Sequence, residues 1–329
     1  MTKKLLVLLV AMLCSGWYVF DKFEIAGLDQ IRLHRRQKPV EDSGQVMQIS
    51  TSIPAAQTGE TVRIATFNIQ DFGDRKSAKP HVMEYLANII RCFDVVAIQE
   101  IRTKSPDHMS RFVDLINSTG RHYDYVIGER LGRTSSKEQY AFVFDRQTVE
   151  VDRTAVYTVY DRDDALHREP LVAQFRVRGP PSSEAFTFKL INVRTDFDET
   201  AKEMDTMDDV YYAVAKEDES CEDDLILLGD FSVNYRQIGQ LANVADISWI
   251  ISGQETNTRK NKSYDNIFFS RRATTEFMGR GGVMDFMREF NLSLTEALEI
   301  SDHMPVWVEC SVYEGGQAGM FAAQPSTVR

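Results

Sequence analysis

A chain of 329 residues, 43% hydrophobic and 26% charged, can bury a sizeable core as one large domain or two small ones. Its net charge of −11 argues against a broad phosphate-binding footprint and leaves room for a local basic cleft. The four cysteines, Cys14, Cys92, Cys221 and Cys310, lack metal-ligand spacing and indicate no disulfide framework; Cys92 and Cys310 read as small buried hydrophobes.

The first residues, "MTKKLLVLLVAMLCSGWYVF", carry two lysines and then an uncharged run from Leu5 to Phe20. These are the n-region and h-region of an export signal. The run is slightly short of the roughly 20 residues that span a bilayer. Residues 1–26 therefore read as a signal peptide or an N-terminal membrane anchor held through residues 5–20, and either places the protein in a secreted or extracytoplasmic setting. Residues 27–60 are polar and aperiodic, as in a flexible linker. A folded domain is expected over 61–313, and 314–329 reads as a disordered tail.

From Thr61 short apolar strands alternate with helices. "VRIATF" and "DVVAIQ" predict strands, and between them "HVMEYLANIIRC" puts Val82, Leu86, Ile89 and Ile90 on one helical face. "SPDHMSRFVDLIN" predicts a helix with Ser105 as N-cap and Pro106 at its first position. Five strands follow: "YDYVIG", "YAFVF", "TAVYTVY", "LVAQFRV" and "FTFKLINV". One long helix is expected over "ETAKEMDTMDDVYYAVAK", then strands "DLILLG", "DNIFF" and "MPVWVEC". The pattern implies an α/β fold of two packed sheets with helices outside.

Polar residues recur at the ends of these strands. Asn68 follows "IATF", Glu100 follows "VVAIQ" and Asp230 follows "LILLG". Asp265 opens "NIFF", while Asp302 and His303 precede "MPVWVEC". A carboxylate beside a core strand is costly to desolvate, so it normally has a partner or a metal. Acids converging from separate strands suit a hard divalent cation, Mg²⁺ foremost, with Mn²⁺ or Ca²⁺ as alternatives. His303 with Asp265 fits a base and its orienting carboxylate.

The segments "IATFNIQDFG", "VVAIQEIR", "GERLGRTSSKEQYAFVF", "REPLVAQF", "LLGDF", "SYDNIFF" and "ISDHMPVWV" occur in an order that resembles the deoxyribonuclease I branch of the endonuclease/exonuclease/phosphatase superfamily. The resemblance covers about 61–313. It implies a four-layer sandwich of two packed mixed β-sheets flanked by helices, and divalent-metal-dependent hydrolysis of phosphoesters. It further implies that Glu100 and Asp302 bind metal, that Asp230 binds metal or orients the attacking water, and that Asn68 neighbours them. By the same resemblance His303 is the general base, Asp265 orients it, and Arg168 contacts phosphate.

Two departures stand out. Where the branch has a general-acid histidine, backed by a glutamate matching Glu138, this chain has Arg194. Arginine stays protonated and cannot deliver a proton at neutral pH. Where the branch has a phosphate-orienting asparagine after "GDF", this chain has Ser232. The expectation is an Arg194–Glu138 ion pair in the acid position. DNA contacts also look weakened: the groove-reading arginine is Gln70 and the stacking tyrosine is Ser136, although Arg102 is retained. The expected function is an exported phosphodiester hydrolase acting on nucleic acid, as a monomer, with an altered acid site. Alternatives are a catalytically impaired phosphate-ligand or protein-binding module, and a lipid or small-molecule phosphatase. His81, His108, His122 and His167 read as surface residues, the runs "KEDESCEDD" and "DRDD" as solvated loops, with Ca²⁺ binding by a carboxylate-rich loop as the alternative, and "FMGRGGV" as flexible backbone near the site.

Overall fold

The computed structural model describes residues 59–133, 137–216 and 222–316, and the backbone of 48–50. Two sheets carry the fold. The first runs in the order β1 (Gln48–Ser50), β12 (Phe277–Val283), β13 (Val306–Ser311), β2 (Thr61–Phe72), β3 (Val95–Ile101), β5 (Gln139–Asp145) and β4 (Tyr123–Ile127). The second runs β10 (Ile247–Trp249), β11 (Asp265–Ser270), β9 (Leu225–Asp230), β8 (Thr187–Arg194), β7 (Leu171–Val177) and β6 (Val149–Thr158). Both are mixed: β2 pairs parallel with β3, and β8 parallel with β9, while most neighbours are antiparallel. Among the described residues seven α-helices complete the α/β sandwich: α1 (Asp74–Ser77), α2 (Pro80–Ile90), α3 (His108–Asn117), α4 (Thr200–Met204), α5 (Met207–Lys216), α6 (Phe286–Glu289) and α7 (Leu294–Ile300).

Strands covered on both faces read as unbroken apolar runs rather than alternating ones. In β9, Ile226 and Leu228 belong to the main core, which also holds Phe142 and Phe144 of β5 and Phe175 of β7. Leu225 and Leu227 point the other way, packing with Met207, Val210 and Val214 of α5. Phe175 meets Phe142 edge-on at 5.6 Å and stacks on Phe188 at 5.6 Å, so aromatic contacts join the two sheets.

Several local expectations change. Gln48–Ser50, within the stretch read as linker, pairs parallel with β12. "FMGRGGV" is β12 itself, held by β13, rather than flexible backbone. Helix α3 starts at His108 with Asp107 as N-cap, because Ser105 and Pro106 form a preceding turn in which the Ser105 hydroxyl bonds Asp107. The long helix breaks into α4 and α5, where the Thr206 hydroxyl takes the Lys202 carbonyl at 3.2 Å. His108 is 3% exposed and packs edge-on against Phe72 at 4.5 Å. Cys310 is buried, Cys92 half-buried, and Cys14 and Cys221 lie outside the described residues, as do residues 1–26 and 317–329. Among the described residues no helix is long and apolar enough to cross a membrane.

One glycine positions the site. Gly229 pairs with Val193 in the β8–β9 register at φ +156°, and a Cβ there would lie 1.8 Å from the Val193 carbonyl oxygen. Gly229→Ala should therefore destabilise the fold by about 2–4 kcal/mol, read as a lowered midpoint in urea.

Candidate active site

Strand register sets one row of side chains. Arg194 lies opposite Asp230 across β8 and β9, and Asp230 lies opposite Asp265 across β9 and β11. The first sheet supplies a facing row, with Asn68 in β2 just before its register shift, Glu100 in β3 and Glu138 just ahead of β5. The register of β2 with β3 shifts between Asn68 and Phe72, and that of β3 with β5 shifts between Ile98 and Ile101. Such bulges re-aim side chains at sheet ends. Glu100 sits at φ +62°, Gln70 and Asp71 at φ +48°, and Ser232 at φ +53°, so left-handed non-glycine backbone gathers around this cleft.

Arg194 occupies the centre. Its Nη1 donates to Glu138 Oε1 at 3.2 Å, its Nη2 pairs with Glu100 Oε1 at 2.8 Å, and its Nε lies 3.6 Å from Asp230 Oδ2. Its backbone N–H donates to the buried Tyr140 hydroxyl at 3.0 Å. Burial opposes the guanidinium charge, but Glu100, Glu138 and Asp230 outweigh it and raise the arginine further above its ordinary value. The Arg194–Glu138 pairing inferred from the sequence is thus present, and it extends to Glu100.

Glu138 is 1% exposed and is ringed by arginines: Arg168 Nε at 2.8 Å, Arg194 Nη1 at 3.2 Å and Arg102 Nε at 3.5 Å. Burial pushes its carboxyl up despite these cations. Glu100 behaves oppositely. Burial works against its charge, yet Arg194, Arg102, the Asp71 N–H and the Asn68 amide hold it below its ordinary value. Arg102 pairs with Glu100 Oε2 at 3.0 Å and with Asp71. Arg168 also reaches Asp196 at 3.6 Å, and its Nη1 has no hydrogen-bond partner among the described residues.

The other half of the cleft holds His303. Its Nδ1 lies 2.9 Å from Asp265 Oδ2, and Thr256 Oγ1 donates to that same oxygen at 2.8 Å. Its Nε2 is 3.8 Å from both Asp230 Oδ2 and Asp302 Oδ1. Burial alone would lower the imidazole, but Asp265, Asp230 and Asp302 lift it to about 10, while burial raises Asp265 to about 6. Asn68 Nδ2 bridges the two halves, donating to Asp230 Oδ2 at 3.0 Å and Glu100 Oε1 at 3.2 Å. Ser232 donates its N–H to Asp230 Oδ1 at 3.0 Å and its hydroxyl to the same oxygen at 3.3 Å, so it braces Asp230. Asn234 turns onto Gln237 at 2.9 Å.

The donor set suits a hard divalent cation. Asp302 Oδ1 is a buried carboxylate oxygen with no hydrogen-bond partner among the described residues, and burial, Glu100 and Asp230 raise Asp302 despite the opposing His303. Asp230, Asp265 and His303 offer ligand atoms within 4.8 Å of one another. The arrangement carries one conflict: Arg194 already holds a Glu100 oxygen that a cation would use.

Several site-building residues escaped sequence reasoning. Lys76 is 9% exposed and donates to Ile69 O and Ile300 O, tying together the segments that carry Asn68 and Asp302. Burial lowers it to about 8 against the pull of Glu100 and Asp302. Ser301 Oγ donates to Asn68 O at 2.7 Å and accepts from the His303 N–H at 3.0 Å. Tyr140 and Thr256 hold Arg194 and Asp265. Ser301 stands in the "SDH" segment and could have been suspected; the others are single polar residues without a pattern.

Comparison with known proteins bears on these features. The model of the Endonuclease/Exonuclease/phosphatase family matches residues 65–303. The chain is 33% identical over 261 residues to deoxyribonuclease-1-like 2 of Mus musculus, covering 75% of this chain and 91% of that one. It is 30% identical to deoxyribonuclease-1 of Bos taurus, covering 77% and 93%. Among solved structures the human Nocturnin catalytic domain superposes with a TM-score of 0.53 at 12% identity, covering 78% of this chain and 94% of that one.

Proposed function

Because the chain belongs to the endonuclease/exonuclease/phosphatase family, we propose that it is an exported, divalent-metal-dependent phosphodiester hydrolase that cleaves DNA with an altered acid site. The His303–Asp265 pair beside Asp230 carries this reading. DNA is favoured because the relatives matched at 30–33% identity are deoxyribonucleases, and export because of the N-terminal signal-like run.

A cation held by Glu100 and Asp302 would, when bound, polarise the phosphoryl group and offset the charges of Asp230 and Asp302 that lift His303. The neutral His303 imidazole this favours, aligned by Asp265, takes the proton of an attacking water that Asp230 orients. Arg194 and Arg168 offer positive charge where it builds on the phosphoryl oxygens. The leaving oxygen departs without a proton donor on this side of the cleft, so turnover is slow on DNA. Arg194's grip on both Glu100 and Glu138 favours one second reading, a module that binds phosphate ligands without turning them over.

Nicking of supercoiled plasmid in Mg²⁺ tests the proposal. The wild-type chain should give slow nicking that EDTA stops and that Asp302→Ala lowers by about 10²-fold or more. Equal background in wild type, Asp302→Ala and EDTA-treated protein, under Mg²⁺, Mn²⁺ and Ca²⁺ alike, would reject it in favour of the binding module.

A further inference from the structure

Strand β9 ends at Asp230 in the cleft and begins beside Asp224, roughly 20 Å away along extended backbone. The run "KEDESCEDD" reads in sequence as a solvated loop, but its last residue, Asp224, is 1% exposed. It meets Glu276, also 1% exposed and just ahead of β12, and the exposed Glu314 beyond β13. The three carboxylates offer oxygens that all lie within 4.8 Å of one another. Asp224 Oδ1 and Glu276 Oε2 are buried and have no hydrogen-bond partner among the described residues. Backbone N–H groups pin the outer oxygens: Gly315 N donates to Glu276 Oε1 at 2.5 Å, and Thr187 N to Glu314 Oε2 at 3.1 Å.

Buried carboxylate oxygens without donors are costly. The charges bearing most on Asp224, those of Glu276, Glu222 and Glu314, are all acidic, and the Thr274 hydroxyl offsets them only in part. Burial and Glu276 raise Asp224 to about 9, and burial raises Glu314 to about 7, so a cation shared by these oxygens would relieve their mutual repulsion.

We propose that Asp224, Glu276 and Glu314 form a calcium-binding site separate from the hydrolytic cleft. Pairwise separations within 4.8 Å allow all three oxygens to reach one shared ion with bonds of roughly 2.3–2.6 Å. Ca²⁺ accepts irregular carboxylate shells, whereas Mg²⁺ dehydrates reluctantly and demands near-ideal octahedra. The ion would fasten β9 of the second sheet to the segments flanking β12 and β13 of the first, stabilising the fold without entering the chemistry.

The test uses the full chain after EDTA treatment, with Ca²⁺ as the probe in thermal unfolding and calorimetric titration at constant ionic strength. Millimolar Ca²⁺ should raise the Tm by about 5 °C in wild type and equally in Asp302→Asn, which impairs the cleft. Glu276→Gln and Asp224→Asn should abolish the rise. If either fails to fold, Glu314→Gln, on an exposed residue, should weaken Ca²⁺ binding about tenfold. Three results would each overturn the site: a wild-type Ca²⁺ response in Glu276→Gln and Glu314→Gln, loss of the response in Asp302→Asn, or no response in wild type, whether or not Glu276→Gln gains stability. The last, with that gain, would mark a proton-sharing cluster.

Discussion

Replacing Arg194 with histidine and Ser232 with asparagine should raise the rate of DNA cleavage by about 10²–10⁴. Histidine at the end of β8 can hand a proton to the leaving oxygen near neutral pH, and arginine cannot. The partner it needs is in place, since Glu138 is buried and held by Arg168 and Arg102 independently of Arg194. Removing the guanidinium also frees Glu100 Oε1, now 2.8 Å from Arg194 Nη2, so the double variant should need less Mg²⁺ for half-maximal rate. Asparagine at 232 restores an amide in the loop after β9, where the serine hydroxyl now bonds Asp230. Steady-state plasmid nicking over a Mg²⁺ titration measures both effects. A lower Mg²⁺ requirement with unchanged maximal rate would confine Arg194's influence to the cation.

His303→Ala should reduce cleavage by about 10²–10⁴ in the wild-type chain and in the double variant alike. His303 Nδ1 is fixed on Asp265, and Nε2 faces the acidic rim, 3.8 Å from Asp230 and Asp302. No other imidazole among the described residues makes an ion-pair contact with these acids: His81 is exposed against Glu299, and His108 is buried against Phe72. Truncation leaves Asp265 buried beside Thr256, so stability falls as well and rates must be compared at a temperature where both proteins are folded. Asp265→Asn separates the roles: it keeps the imidazole but weakens its orientation and basicity, and should cost less than His303→Ala. Equal rates in His303→Ala and wild type would exclude His303 as the general base.

Much of this cleft was legible in the sequence because strand ends are punctuated there. Asn68, Glu100, Asp230, Asp265 and Asp302 each follow or precede an apolar run, and parallel pairing of β8 with β9 brings Arg194 level with Asp230. The Arg194–Glu138 contact was accessible because one residue replaced a partner whose counterpart persisted. Arg194's second grip, on Glu100, was not, since it depends on the bulge in β3 and on a side-chain reach between sheets. Lys76 was hidden for a different reason: its carbonyl partners, Ile69 and Ile300, lie 7 and 224 residues away, and backbone acceptors leave no trace in residue type. Asn192 is similar, buried in an apolar strand and donating to Ile98 O and Ala141 O across the sheets at 3.2 Å. Local composition misled at His108, polar in type but packed on Phe72, and at Asp224, the buried end of an acidic run.

We propose that the hydrolytic scaffold is intact and that Arg194 withholds the proton for the leaving group, besides occupying a Glu100 oxygen that a cation would use. The most direct test is the rate ratio of Arg194→His to wild type at saturating Mg²⁺ on two substrates, plasmid DNA and a nitrophenyl phosphodiester whose leaving group needs no proton. A ratio of about 10²–10⁴ is expected on DNA and one near unity on the activated ester. Equal ratios on the two substrates, or no gain on DNA, would contradict it.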